Sequence, residues 1–236
     1  DKEKMTGLMK KLDGQKAVVE EIKKTPKKTY APLLYDLTEL QREANQRFGY
    51  SAKETLNIMQ RLYENHKVLT YPRTDSRYLS KDIVPTIKDR LEACGTGPYR
   101  KLAMTAKKKD LSGKLAFVND AKVSDHHAII PTEQFVDLSH MTNEERKIYD
   151  LVVRRFLAVL YPPFEYEQTQ VTVKVGGETF LASGKIVKAQ GWRAAYEEEV
   201  YSAEDEEEEE AYESGKGLKG QTLPELEKGQ IGRAHV

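Results

Sequence analysis

"TQVTVKVGGETFLASGKIV", residues 169–187, is the stretch that decides the fold class. Val171, Val173 and Val175 alternate with polar residues, so the apolar period is two, as in a strand with one covered face. Gly176-Gly177 interrupts the run and a second β-favouring run follows, which predicts an antiparallel hairpin. Just upstream the period is helical. "MTNEERKIYDLVVRRFLAVLYPP" (141–163) opens with Thr142 and Glu145 in capping-box spacing. Ile148, Leu151, Val152, Val159 and Leu160 supply its apolar faces, and Pro162-Pro163 stops it. Helices followed by antiparallel strands argue for α+β rather than α/β.

Further toward the N-terminus, "DLTELQREANQRFG" (36–49) carries Asp36 and Glu39 at cap spacing, with Leu37, Leu40, Ala44 and Phe48 on one face and Gly49 as the stop. "SAKETLNIMQRLYENH" (51–66) repeats the device with Ser51 and Glu54. Two short helices around a Gly turn suit nucleic-acid binders and ordinary helical domains alike. Residues 80–95 read as a helix capped by Ser80 and ended near Gly95, and residues 95–120 as loop. Residues 1–24 read as a helix, interrupted at Gly14, with Lys23–Pro32 as a basic linker. "GLKGQTLPELEKGQI" (217–231) fits a late strand and turn.

The 236 residues are 39% hydrophobic and 32% charged, enough for a core beneath a heavily charged surface. No apolar run reaches the ~18 residues of a membrane span, and no signal-peptide pattern opens the chain. Cys94 is the single cysteine, which excludes an internal disulfide and a Cys-rich zinc site and suits a reducing cytoplasm. The formal net charge of zero hides an asymmetry. Residues 1–196 hold 34 Lys and Arg against 25 Asp and Glu, whereas residues 197–213 hold 11 acidic residues and no basic one. The basic body fits a polyanionic partner, and the acidic run is expected to be a solvated loop.

Chemistry gathers in "LTYPRTDSRYLS" (69–80), where Tyr71, Arg73, Thr74, Asp75, Ser76 and Arg77 crowd around Pro72. Two readings stand: a polar surface turn, or a phosphodiester site with a tyrosine nucleophile. A phenol with a reference pKa of about 10 is a poor nucleophile at neutral pH unless cations hold the phosphate and favour the phenolate. In an extended segment Tyr71 and Arg73, two apart, face the same way and can reach one phosphate.

The stretch resembles the active-site signature of type IA DNA topoisomerases, a tyrosine followed by any residue and then Arg-Thr/Ser-Asp. Pro72 and Arg77-Tyr78 look most like the bacterial topoisomerase III branch. "QRLYENHKVLTY" (60–71), "SDHHAIIPT" (124–132) and the Leu-Pro-x-Leu-x-Lys-Gly run (223–229) are similar to further family elements, in the family's order. The resemblance implies that Tyr71 attacks one strand, forming a 5′-phosphotyrosine link and a 3′-hydroxyl without ATP, so that a strand can pass before religation. It implies Arg73 on the scissile phosphate and His126, Gln60, Asp75, Ser76, Arg77 and His127 as DNA contacts. Adjacent His126 and His127 point oppositely on an extended segment and no third ligand is evident, so no metal site is expected in this chain.

The family's Mg²⁺ is carried by an N-terminal domain with a glutamate and an Asp-x-Asp pair, a pattern these residues lack. The resemblance therefore implies a central fragment, inactive alone, whose partners are single-stranded DNA, the missing metal-binding domain of the same polypeptide and a possible helicase, with no membrane. It implies residues 1–28 and 164–236 as two parts of a β-rich arch domain, with the helical domain 29–163 inserted between them. A non-catalytic single-stranded DNA-binding helical module would explain the basic body but not both signatures in order. A tyrosine recombinase would need an Arg and His set that is not found in its usual order.

Overall fold

The computed structural model describes residues 2–196 and 226–233. The chain divides into two compact units, one built on a sheet and one on helices. Residues 30–163 and 191–196 make the helical unit, and the other described residues make the sheet unit. The fold class is α+β.

The sheet unit opens with α1 (Lys2–Leu12) and β1 (Lys16–Thr29), and continues with β2 (Phe164–Val175), β3 (Glu178–Ala189) and the short β4 (Ile231–Arg233). Strand order is β3-β2-β1-β4, and every pairing is antiparallel. The expected hairpin is present: Gly176 and Gly177 have φ of +56° and +87°, the left-handed pair that matches the twist of a tight hairpin. The expected 1–24 helix and 23–32 linker are corrected. The helix ends at Leu12, and the basic, proline-bearing stretch is the far half of β1, paired from Ala17↔Val175 to Thr29↔Phe164. Val18, Val19 and Ile22 satisfy a helical period as well as a strand interrupted by a bulge, and the ladder does shift between Val19 and Glu21. β4 covers only Lys16–Val18, so among the described residues the rest of β1 is an edge, where proline and lysine are tolerated.

In the helical unit α2 (Leu37–Phe48) and α3 (Ala52–Glu64) are capped as the sequence implies. Asp36 accepts the Glu39 amide, Gly49 adopts φ +72°, and Ser51 with Glu54 closes a reciprocal box. The 80–95 segment differs. Pro85 lies in a 3₁₀ turn at Lys81–Thr86, Ser80 makes no side-chain cap, and only α4 (Ile87–Cys94) is α-helical. The stretch expected to be loop contains α5 (Arg100–Ala106), and Tyr99 just before it donates to Asp150. α6 (Asn143–Ala158) is the buried axis, starting in the Thr142–Glu145 capping box. The acidic segment 197–213 lies outside the described residues.

Residues 191–196 depart from the expected arch assignment, because they return to the helical unit. A 3₁₀ turn, Gly191–Tyr196, packs on α6. Arg154 Nη1 donates to the Ala195 carbonyl at 2.7 Å, and Arg155 Nε to the Tyr196 hydroxyl at 3.2 Å. Arg155 also pairs with Glu43 at 2.6 Å, donates to the Leu33 carbonyl and lies 4.2 Å over the Tyr35 ring. At the start of this turn the Trp192 amide donates to the Pro162 carbonyl, and a Cβ on Gly191 would fall 2.1 Å from the Pro163 oxygen.

Candidate active site

The two signature stretches, some fifty residues apart, form one irregular antiparallel ladder. Leu69 bridges Pro131, the Thr70 amide donates to the Ile130 carbonyl, and the Thr132 amide donates to the Val68 carbonyl. The Thr70 hydroxyl accepts from the Ile130 amide at 3.0 Å, and the Thr74 hydroxyl donates to the His126 carbonyl at 2.9 Å. The Ala128 amide donates to the Tyr78 carbonyl, closing the far end. On its approach to the site, the chain leaves α3 through Lys67 at φ +57°, a left-handed conformation unusual for a side chain with a Cβ. Glu145 clamps that exit. Its carboxylate takes Arg61 at 2.7 Å and His66 at 3.3 Å while capping α6. Hydrogen bonds from Arg61 and Thr142 hold its pKa below the ordinary range, against the opposing effect of burial.

Tyr71 sits half-buried between two rings. His126 lies 4.4 Å away, centroid to centroid, and Tyr63 meets it at 5.5 Å and 79°, nearly perpendicular. Arg73 is exposed and makes no hydrogen bond or ion pair with the described residues, leaving its guanidinium available to an anion. Asp75 is exposed too and accepts from the Ser124 hydroxyl at 3.3 Å. Arg73, Asp75 and His126 line an open pocket of about 410 Å³ with Leu37, Thr38, Thr74, Ser124 and Asp125. Geometry therefore gathers a guanidinium, an imidazole and a carboxylate at one hollow, with the Tyr71 ring against the imidazole.

Other sequence candidates fall elsewhere. Ser76 is 4% exposed and is committed to the scaffold: its hydroxyl donates to the Lys122 carbonyl at 2.7 Å and accepts from the Tyr78 amide. Arg77 is half-buried and its Nε donates to the Leu34 carbonyl. The His127 ring is turned to its own strand, with Nδ1 2.7 Å from the Ala128 carbonyl oxygen. Burial lowers its pKa, so it is biased toward the neutral form. Gln60 stands one helical turn before Tyr63, on the same face of α3. Sequence reasoning missed Tyr63, Ser124 and Asp125. Tyr63 lies within the 60–71 stretch, where the sequence assigns it no role, and the other two open the "SDHHAIIPT" signature.

Among the described residues no group of three or more His, Cys, Asp or Glu side chains could hold a metal ion. No helix among them is long and apolar enough to cross a membrane.

A family model described as DNA topoisomerase matches residues 1–235. DNA topoisomerase 3 of Bacillus cereus (strain ATCC 14579) is 58% identical over 229 residues, covering 97% of this chain and 30% of that protein. DNA topoisomerase 3 of Bacillus subtilis (strain 168) is 57% identical over 222 residues, covering 94% of this chain and 29% of that protein. The chain thus spans under a third of the length of these relatives. Among solved structures, full-length topoisomerase I from Thermotoga maritima superposes with a TM-score of 0.65 over 99% of this chain and 35% of its own, at 22% identity, which bears on the fold alone. The chain belongs to the type IA DNA topoisomerase family and is similar to its bacterial topoisomerase 3 members.

Proposed function

We propose that Tyr71 is the nucleophile of a reaction that cuts and rejoins one DNA strand. The supporting observation is the meeting of two separate signatures: the Tyr71 ring lies against His126, which lines a pocket together with Arg73 and Asp75. The phenol oxygen bonds to phosphorus and its proton passes to solvent. The bond from phosphorus to the 3′ oxygen breaks, and that oxygen takes up a proton to become a 3′-hydroxyl. The 5′-phosphate stays on Tyr71, so the bond energy is conserved and religation is the reverse step, without ATP. Arg73 is suited to hold the nonbridging oxygens by charge-assisted hydrogen bonds and to stabilise the charge that builds on them. His126 and Asp75 are placed to contact the flanking nucleotide.

Tyr71→Phe in the full-length protein tests this reading. Covalent adducts with labelled single-stranded DNA should disappear on a denaturing gel, while the Kd for the same strand stays within about threefold, because the ring and its packing remain. Persistent adducts would remove Tyr71 from the chemistry. A label recovered on a 3′-phosphate would assign the protein to the opposite polarity, and a wild-type protein that binds but never links would leave a single-strand binding module.

A further inference from the structure

A nucleophile has to be aimed, and Tyr71 has no hydrogen bond among the described residues to aim it. Its backbone is pinned by the ladder around Thr70 and Thr74, and its ring is in contact with two others, Tyr63 and His126. The two rings are held differently. His126 belongs to an exposed run, Ser124–His126, whose nearest anchor is the Thr74 bond to its carbonyl. Tyr63 stands in the last turn of α3, next to fully buried Leu62 and to Arg61, which is tied to Glu145. A packed helix fixes where the ring it carries is anchored, and a perpendicular contact between two aromatic rings is a favoured geometry. The Tyr63 hydroxyl makes no hydrogen bond among the described residues, and the side chain is 37% exposed, so its contact with Tyr71 is made by the ring.

We infer that Tyr63 is a positioning residue: its ring fixes the side-chain rotation of Tyr71 so that the phenol oxygen points at the scissile phosphate. The inference rests on Tyr71 being the nucleophile. It predicts loss in the cleavage step without loss of DNA binding, because a misaimed reactant costs rate rather than affinity.

The experiment is single-turnover cleavage of labelled single-stranded DNA by the full-length protein, with Kd and Tm measured in parallel for Tyr63→Phe, Tyr63→Leu and Tyr63→Ala. Tyr71→Phe is the control. Tyr63→Phe should cleave within about twofold of wild type and Tyr63→Ala about 10- to 100-fold more slowly, with Kd unchanged. Tyr63→Leu fills the space without a flat ring, so it should also be slow while melting like wild type, which separates aiming from folding. Cleavage by Tyr63→Leu at the wild-type rate would overturn the inference. So would a Phe variant as slow as Ala, which would assign the work to the hydroxyl, or a Kd weakened in step with the rate, which would make Tyr63 a DNA contact. If the Tyr71→Phe control still forms adducts, the fault lies with the nucleophile assignment itself.

Discussion

In the helical unit Leu40, Met59, Leu62 and Phe156 have no exposed surface, and α6 is buried along most of its length, arginines included. In the sheet unit β3 carries one buried residue in twelve, and Leu181 is 81% exposed. Val19, Val171, Val175 and Leu12 make a small apolar cluster there, with Phe164 and Tyr166 near the strand ends. The contrast follows from what each unit carries. Chemistry at Tyr71 requires side chains fixed to a fraction of an ångström, and close packing supplies that. The sheet bears none of the candidate groups, and its strands are held by ladder hydrogen bonds more than by a core.

Breaking the buried arginine cluster should separate the units most clearly. Arg155→Ala takes from half-buried Glu43 one of its two arginine partners, Arg47 remaining at 3.0 Å, and removes the ties to Tyr196 and the Leu33 carbonyl, where a hydrogen bond from a charged group is worth about 1.5–3 kcal/mol. Trp192 is the single tryptophan and sits in the helical unit, so its fluorescence in a denaturant titration reads that unit alone. The midpoint should fall sharply, and a midpoint unchanged from wild type would mean that the cluster is not what holds residues 191–196 in place. Gly176→Val is the reciprocal cut. At φ +56° a side chain costs about 1–2 kcal/mol, and the new Cβ would meet Leu12 Cδ2 at 3.1 Å. Hydrogen exchange should accelerate in β2 and β3 while the fluorescence midpoint stays put. A shared shift in both readouts would show that the units unfold as one. Smallest is Leu181→Thr, which leaves an exposed position β-branched and should change stability by under about 0.5 kcal/mol. A larger loss, again by exchange in β3, would reveal a cover over that face.

Local devices were the legible part of the sequence. Capping boxes at Ser51 and Thr142, the glycine stop at Gly49 and the Gly176-Gly177 turn each write a boundary into a few adjacent residues. β1 was illegible because its identity comes from a partner far along the chain: Lys23–Thr29 has little apolar content and is strand because β2 pairs with it. α5 was hidden for a similar reason, since seven residues among glycines and lysines carry too weak a period, and Tyr99 anchors them from outside. At the site, Tyr71, Arg73 and His126 were found from motif chemistry, but the split between Asp75, which faces the pocket, and Ser76, which is locked to Lys122, depends on where each side chain points. Tyr63 meets Tyr71 only once α3 has turned into the ladder.

The contact of Gly191 with Pro163 carries a consequence for how such a chain can change over generations. The β2–β3 hairpin leaves the helical unit at Pro163 and comes back at Gly191, so its two ends meet at a single point. A segment whose entry and exit coincide can be lengthened at its far turn, Gly176-Gly177, without moving the junction, whereas trimming it would unpair β1, which β2 covers from Ala17 to Thr29. Descendants should therefore be free to lengthen the hairpin at that turn, while position 191 admits no residue larger than glycine. A library of hairpin insertions and deletions, scored for retained Trp192 fluorescence, would map that freedom directly.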